Sequence, residues 1–470
     1  MIRLARLLCV LLVASLGAAC APAPQSQPAP QSQPTPEPTK GACVLHMLGA
    51  ARPFAGEEEA WNAIGAAFEA QYGCKVVFRW LGDWSAIGQQ LAAARMAKEP
   101  VDIVYTYAML VNSTMASQGI LMDITDLVAP FQQRWEPSLL NQYQIDDRLW
   151  GVPWGVGSTS LFFYNKTLFE KLGLKEPKTY EDMLTIHKAI QSNTQMMTWL
   201  HQGKETGYWP MLLFETLAQT SGNTSGQFVR DALAGKASFT DPSVVAAYQA
   251  LAKFYKDGIL AQASFDTDHD GMFAAFAQQK AAMVYGGLWE MSFAKDAAKD
   301  FDLGIFQFPL VVDTPGVVPL HGGGADDGLS IPSFIAPENV SPAVQFLEFV
   351  SRPKYANQII NTYAPYMPVV RGVQPVQDPL AQKINQQFLP ATIGYLDWLW
   401  PPEVNDQVAS GIPAVLAGQI TPEQAAKGMQ DALDKLRAEA DYQSEWWKAW
   451  TDADWSKVRP SQLPSIEVVQ

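Results

Sequence analysis

CVLHMLGAARPFAGEEEAWNAIGAAFEAQYGCKVVFRWLGDWSAIGQQLAAARMAKEPVDIVYTY, residues 43–107, decides the fold. Three apolar runs, beginning at Cys43, Cys74 and Val101, have the length and β-branched content of strands. Between the first two lies an amphipathic stretch with Trp61, Ile64, Phe68 and Tyr72 on one face, closed by Gly73. Between the second and third lies another, carried by Ile87, Leu91 and Ala94 and stopped by Pro100. Strand, helix, strand, helix, strand predicts a parallel sheet with helices on both faces. Ligands of such sheets sit beyond the carboxyl ends of the strands. That rule gathers the Gly49 region, Trp80–Trp84 and Tyr107 around one crevice. Cys43 and Cys74 open the first two strands. If those strands are neighbours, the thiols lie side by side and can form a disulfide; the alternative is two buried free thiols.

The same alternation continues outward. Asp241-Pro242 and Thr421-Pro422-Glu423 open helices as N-cap and first-turn pairs, and AAMVYGGL and FDLGIFQFPL have the pattern of strands. The chain has 470 residues, 48% hydrophobic and 17% charged, which fits a globular protein of two or three domains. Its net charge of -14 disfavours nucleic acid and anionic lipid as charge-driven partners. No G-x-S-x-G, H-E-x-x-H or paired CxxC motif occurs, and the five histidines are scattered.

Residues 1–19 have Arg3 and Arg6, then the apolar Leu7–Leu16, then small residues before Cys20. This resembles a bacterial lipoprotein signal, with cleavage before Cys20 and a diacylglycerol on its thiol. Gly17 stands where an aliphatic residue is usual, so a plain secretory signal or an uncleaved anchor stays open. Residues 20–40 hold PQSQP twice in tandem. They form a Pro/Gln/Ser-rich spacer of roughly 3 Å per residue in the polyproline conformation.

Four further stretches carry a family resemblance: VDIVYTYAM (101–109), GVPWGVGSTSLFFYNKTLFEKLGLKEPKTYEDML (151–184), AFAQQKAAMVYGGLWEMSFAKDAAKDFDLGIFQFPL (275–310) and GGGADDGLSIPSFIAPENVSPAVQFLEFVSRP (322–353). In this order and spacing they resemble family 1 of the extracellular solute-binding proteins of ABC importers, which includes maltose-binding protein. The third stretch has Gln279 in place of the family's usual Gly. The resemblance implies an α/β fold of the two-lobe, type II periplasmic-binding-protein kind, with two or three segments crossing between the lobes. Residues 41–152 plus 315–352 would form lobe 1, and 153–314 plus 353–470 lobe 2. It implies a solute, most simply a neutral saccharide, captured by cleft closure and delivered to a membrane permease. The protein would be a monomer outside the cytoplasm, at the cell surface or in the periplasm, held by its lipid anchor and needing no cofactor. The alternatives are a secreted carbohydrate-active enzyme, or a binder of a polyol, sugar phosphate or polyamine.

A sugar needs aromatic faces for its C–H surfaces, and carboxylates or amides for its hydroxyls. Trp80, Asp83 and Trp84 supply both kinds at a strand end, with Tyr107 after the third strand. By resemblance, Trp154 lies at a crossing, Trp289 is the family's stacking tryptophan, and Tyr366 lines the cleft. Glu290 follows Trp289 at a helix start, where its charge also suits the helix dipole. Gly323, in the run Gly322–Gly324, lets backbone approach a ligand. Asp397 and Trp398 form another acidic-aromatic pair. Arg79, Arg52 and Arg371 are the only cations near these positions, which disfavours an anionic ligand. Asp266, Asp268 and Asp270 match the first half of a calcium loop, but Ala277 stands where its glutamate belongs.

Overall fold

A computed structural model describes residues 43–49, 57–81, 87–108, 115–154, 156–325, 327–360, 367–374, 377–439 and 442–469. Residues 1–42, with Cys20, lie outside them. The opening segment forms β1 (Cys43–Gly49), α1 (Glu57–Tyr72), β2 (Cys74–Trp80), α2 (Ile87–Ala97) and β3 (Ile103–Tyr107). Helix α1 buries Trp61, Ile64 and Phe68, while Glu57, Glu58 and Glu59 occupy its positive first turn. It ends at Gly73, whose φ of +67° is the left-handed conformation that glycine adopts without cost.

A short hairpin follows, β4 (Gln144–Ile145) and β5 (Arg148–Leu149), then β6 (Val152–Pro153) and the long β7 (Val156–Asn165). The remaining strands are β8 (Met197–Leu200), β9 (Ala281–Gly287), β10 (Leu303–Phe306), β11 (His321–Gly324), β12 (Asp327–Ser330), β13 (Met367–Pro368) and β14 (Thr392–Ile393). Apart from the two-stranded β4–β5 hairpin, the strands make two sheets. The first has the order β2-β1-β3-β12-β6. The second runs β14-β11-β7-β9-β8, with β10 and β13 also on β7.

The chain passes from one sheet to the other between β6 and β7, back between β11 and β12, and over again between β12 and β13. The first two passages are neighbours. Pro153 pairs with Gly328 in the first sheet, and Ser158 pairs with Gly324 in the second. Five steps separate Pro153 from Ser158 but four separate Gly324 from Gly328, so the antiparallel register shifts by one residue between the sheets.

The C-terminal segment lies against the first sheet's layer. Trp446, Trp450 and Trp455 surround the buried Trp150 at 5.5, 6.2 and 6.1 Å between ring centroids. Asp123 N–H donates to Val458 O at 2.8 Å, and Val469 N–H donates to Glu348 at 3.0 Å. Glu348 is itself fully buried between Arg134 and Arg352, so its charge is compensated on both sides.

Parallel register places Cys43 opposite Cys74, with their Cα atoms 4.5 Å apart, and the two are joined by a disulfide. The bond closes a loop across α1 (sequence separation 31) and restricts the unfolded chain. Replacing both cysteines by alanine is expected to cost about 3 kcal/mol of stability, read as a lower urea midpoint with the binding properties retained. An unchanged midpoint would mean that strand pairing alone holds β1 to β2.

Candidate functional site

The carboxyl ends of β1, β2 and β3 carry an aromatic wall. Trp80 ends β2, and its ring lies over Gly49, at the end of β1, where any Cβ would overlap it. Trp61 from α1 stands 6.2 Å from Trp80 and 4.8 Å from Trp154. Tyr105 completes the cluster, 5.5 Å from Trp80 and 5.4 Å from Trp154, and its hydroxyl donates to Asp327 at 2.8 Å. Trp154 is buried, whereas Trp80 keeps a partly exposed face. Trp154 therefore backs the wall and Trp80 fronts it. Tyr107 is paired with Asp327 at the end of β3, but its side chain lies outside the described parts. Asp83, Trp84 and Tyr366 also lie outside them.

The second sheet presents its own strand end. β9 finishes at Gly287, and Trp289 follows in a short turn, partly exposed. Its indole donates to the Tyr208 hydroxyl, and Tyr395 lies edge-on at 6.3 Å. Tyr395 is buried, and its hydroxyl lies 3.0 Å from Ser160 Oγ on β7, so the loop 392–398 is tied to the crossing strand. Asp397 and Trp398 lie in the next turn; Asp397 is half-buried, and the Trp398 side chain is outside the described parts.

Glu290 does not share the exposure of Trp289. It is 1% exposed and folds back beneath Gly286, where it accepts from Gln202 Nε2 at 2.5 Å. Gly323 is likewise enclosed by the chain itself. It pairs with Thr159, has a φ of +158°, and a Cβ there would meet Ser158 O. Its neighbours Gly322 and Gly324 lie against Tyr395 and Gln142 in the same way. The glycine run thus lets the crossing strands pack closely.

The aspartates of the calcium-like motif serve other ends. Asp268 caps helix His269–Ala277 by accepting from Gly271 N–H at 3.0 Å, and it pairs with Lys204 at 3.0 Å. Asp270 meets His269, and Asp266 ends the preceding turn. Among the described residues no group of three or more His, Cys, Asp or Glu could hold a metal ion. Arg371 is paired with Glu136 at 2.8 Å and Arg79 with Glu99 at 3.8 Å; Arg52 is outside the described residues.

Two residues that sequence reasoning passed over organise this region. Asp327 anchors Tyr105; its signal was the acidic pair Asp326-Asp327, one residue after the glycine run. Glu215, in helix Trp209–Thr220, is fully buried and joins two strands, accepting from Tyr285 Oη at 2.8 Å and from Gly322 N–H at 3.0 Å. A glutamate in an otherwise apolar helix face was the only trace of it.

The family model described as bacterial extracellular solute-binding protein matches residues 63–387, and the chain belongs to that family. An uncharacterized ABC transporter extracellular-binding protein of Pyrococcus horikoshii is 24% identical over 251 residues, 51% of this chain and 56% of its own length. A multiple sugar-binding protein of Streptococcus mutans is 24% identical over 215 residues, 45% of this chain and 49% of its own. The chain thus spans about half the length of these two relatives. A chitin oligosaccharide binding protein superposes with a TM-score of 0.68 at 19% identity, covering 83% of this chain and 98% of that one. The fold is therefore that of the two-lobe, type II periplasmic binding proteins, and the family places the chain outside the cytoplasm. No helix among the described residues is long and apolar enough to cross a membrane.

Burial pushes the carboxyls of Glu215 and Glu290 up to about 8 and the imidazoles of His201 and His321 down to about 4. For each glutamate the folded state holds a proton that the unfolded state has released, so stability falls as pH rises from 4.5 to 8. The histidines act oppositely between pH 4 and 6.5, and the two effects offset each other there. Above pH 6.5 only the glutamates remain. Stability is expected to fall by roughly 2 kcal/mol per glutamate between pH 6.5 and 8 in urea titrations, and Glu215→Gln and Glu290→Gln should each remove one share. A flat wild-type profile over that window would contradict the assignment.

Proposed function

We propose that this protein is the substrate-binding component of an ABC importer and that it captures a neutral saccharide between the Trp80 wall and the Trp289 wall. The observation that carries this is the matched pair of partly exposed tryptophans, each at the carboxyl end of its sheet's strands, on two sheets joined by adjacent crossings. Aromatic faces stack on sugar C–H surfaces, and Asp397 with the amide and hydroxyl groups nearby provides hydrogen-bonding partners. The pairing of Arg371 and Arg79 with glutamates supports a neutral ligand over an anionic one. The names of the relatives fit: one is a multiple sugar-binding protein, another binds chitin oligosaccharide. The family description, an extracellular solute-binding protein, supports binding as the role.

Asp83, Trp84, the side chain of Tyr107, Tyr366 and Trp398 complete the proposed ligand shell. Trp154, Glu290 and Gly323 support it from behind. The lobes follow the sheets: residues 43–153, the stretch from Asp327 to about 360, and the C-terminal segment from Trp446 belong to lobe 1. Most of the rest, including His321–Gly324, belongs to lobe 2. A ligand that touches both lobes favours the closed form, and that form docks on the permease. Cys20 carries the lipid, residues 21–40 form the tether, and the protein acts as a monomer.

A thermal-shift screen of mono- and oligosaccharides, polyols, sugar phosphates and polyamines tests the reading. A bound ligand at 100 times its Kd adds ~2.7 kcal/mol of stability. Saccharides are expected to raise the melting temperature. Trp80→Ala and Trp289→Ala should each weaken the best saccharide by roughly 10- to 100-fold in calorimetric titration. A polyamine or phosphate hit with no saccharide hit would overturn the ligand class.

A further inference from the structure

A second groove, of about 1450 Å³, has none of Trp80, Trp154 and Trp289 among its described lining, and meets the second wall through Tyr395, which stands edge-on to Trp289. One side is the stretch that leads into the β4–β5 hairpin, with Asn141 and Gln144. The opposite side is helix Ser225–Leu233 and the loop 390–403. The C-terminal segment, residues 442–447, forms a third wall through Tyr442, Trp446 and Trp447.

The lining chemistry is selective. The charged members are Glu136, Asp146, Arg230 and Glu403, and Glu136 is already held by Arg371. A lone Arg230 gives no clamp for an anion, and three scattered carboxylates give no cation cage. Amides and hydroxyls make up most of the polar lining, alongside Tyr442, Trp446 and Trp447. Two buried donors on opposite sides have no protein partner. Ser225 Oγ belongs to a residue only 1% exposed, at the start of its helix, and Trp447 Nε1 belongs to the C-terminal wall. Other buried indoles, Trp135 and Trp199 among them, are unmet as well, but Ser225 and Trp447 differ in lining a groove that admits a partner from outside the chain. Trp447 is also braced: its ring meets Trp446 edge-on at 5.7 Å, and Trp446 rests on Trp150 at 5.5 Å. A rigid aromatic face, unmet donors and uncharged amides together are what a polyhydroxylated, uncharged ligand needs.

We propose that this groove is a second saccharide site, taking a neutral oligosaccharide across Trp447 and Ser225, separate from the cleft between Trp80 and Trp289. The inference rests on the groove's own lining and stands or falls independently of the cleft.

The test is an indole N–H spectrum of the full chain, titrated with maltohexaose, xylohexaose and chitotetraose, with the Trp447 and Trp289 resonances identified by Trp447→Phe and Trp289→Phe. The Trp447 resonance is expected to shift saturably with at least one probe, in the wild type and equally in Trp289→Ala. Trp447→Ala combined with Ser225→Ala should weaken the binding that survives in Trp289→Ala by about tenfold. Movement of Trp289 alone would overturn the second site and leave the cleft reading intact. Movement of Trp447 alone would do the reverse. If neither resonance moves for any probe up to its solubility limit, the second site is wrong.

Discussion

The architecture depends on one constraint: the chain passes between its two sheets side by side, at 153–158 and 324–328, with strand pairing continued on both sides. Paired crossings resist twisting and separation of the sheets, because every rotation must be shared by two hydrogen-bonded strands. A one-residue change of register at the crossing bends the pair locally, as bulges do in other sheets. It also fixes where the strand ends point. Both the β1–β3 ends and the β9 end come to lie near the same crossings, so the aromatic walls follow from the topology.

Close packing at the crossing accounts for the local chemistry. Gly322, Gly323 and Gly324 have no side chains because Tyr395, the backbone of β7 and Gln142 fill that space. The same tightness buries Glu215, whose carboxyl spans Tyr285 and the Gly322 amide, and so links a helix of the second sheet to the return strand. Such a group is affordable in the interior only when neutral and hydrogen-bonded, which is the state that its raised pKa describes. Glu290, beneath Trp289, follows the same rule.

Much of this was legible in the sequence, for physical reasons. The strand–helix alternation over 43–107 has periodicities that only one layer architecture satisfies, and the positions of Cys43 and Cys74 follow from adjacent parallel strands. Trp80 was singled out by its place at a strand end and Trp289 by the family resemblance, and each stands at the end of a strand of its sheet or just after it. Direction along a strand is readable, but depth is not. Trp154 and Glu290 also sit at strand ends and yet point inward, since a one-residue step along a turn reverses a side chain's facing. The target of the C-terminal tryptophans was not readable. Their partner Trp150 lies about 300 residues earlier, and no local pattern connects two such distant segments. Asp327 escaped for the same reason: its role depends on a long-range register with β3.

The central claim is that one saccharide touches both walls and draws them together. Spin labels at the exposed positions Glu69→Cys and Asp270→Cys, one beside each sheet, give the distance between the two bodies directly. With a saccharide identified by the thermal screen, a shortening of several ångström is expected at saturation, reached in the Trp289→Ala background only at roughly 10- to 100-fold higher saccharide. An unchanged distance under saturating saccharide in the otherwise wild-type protein would contradict it.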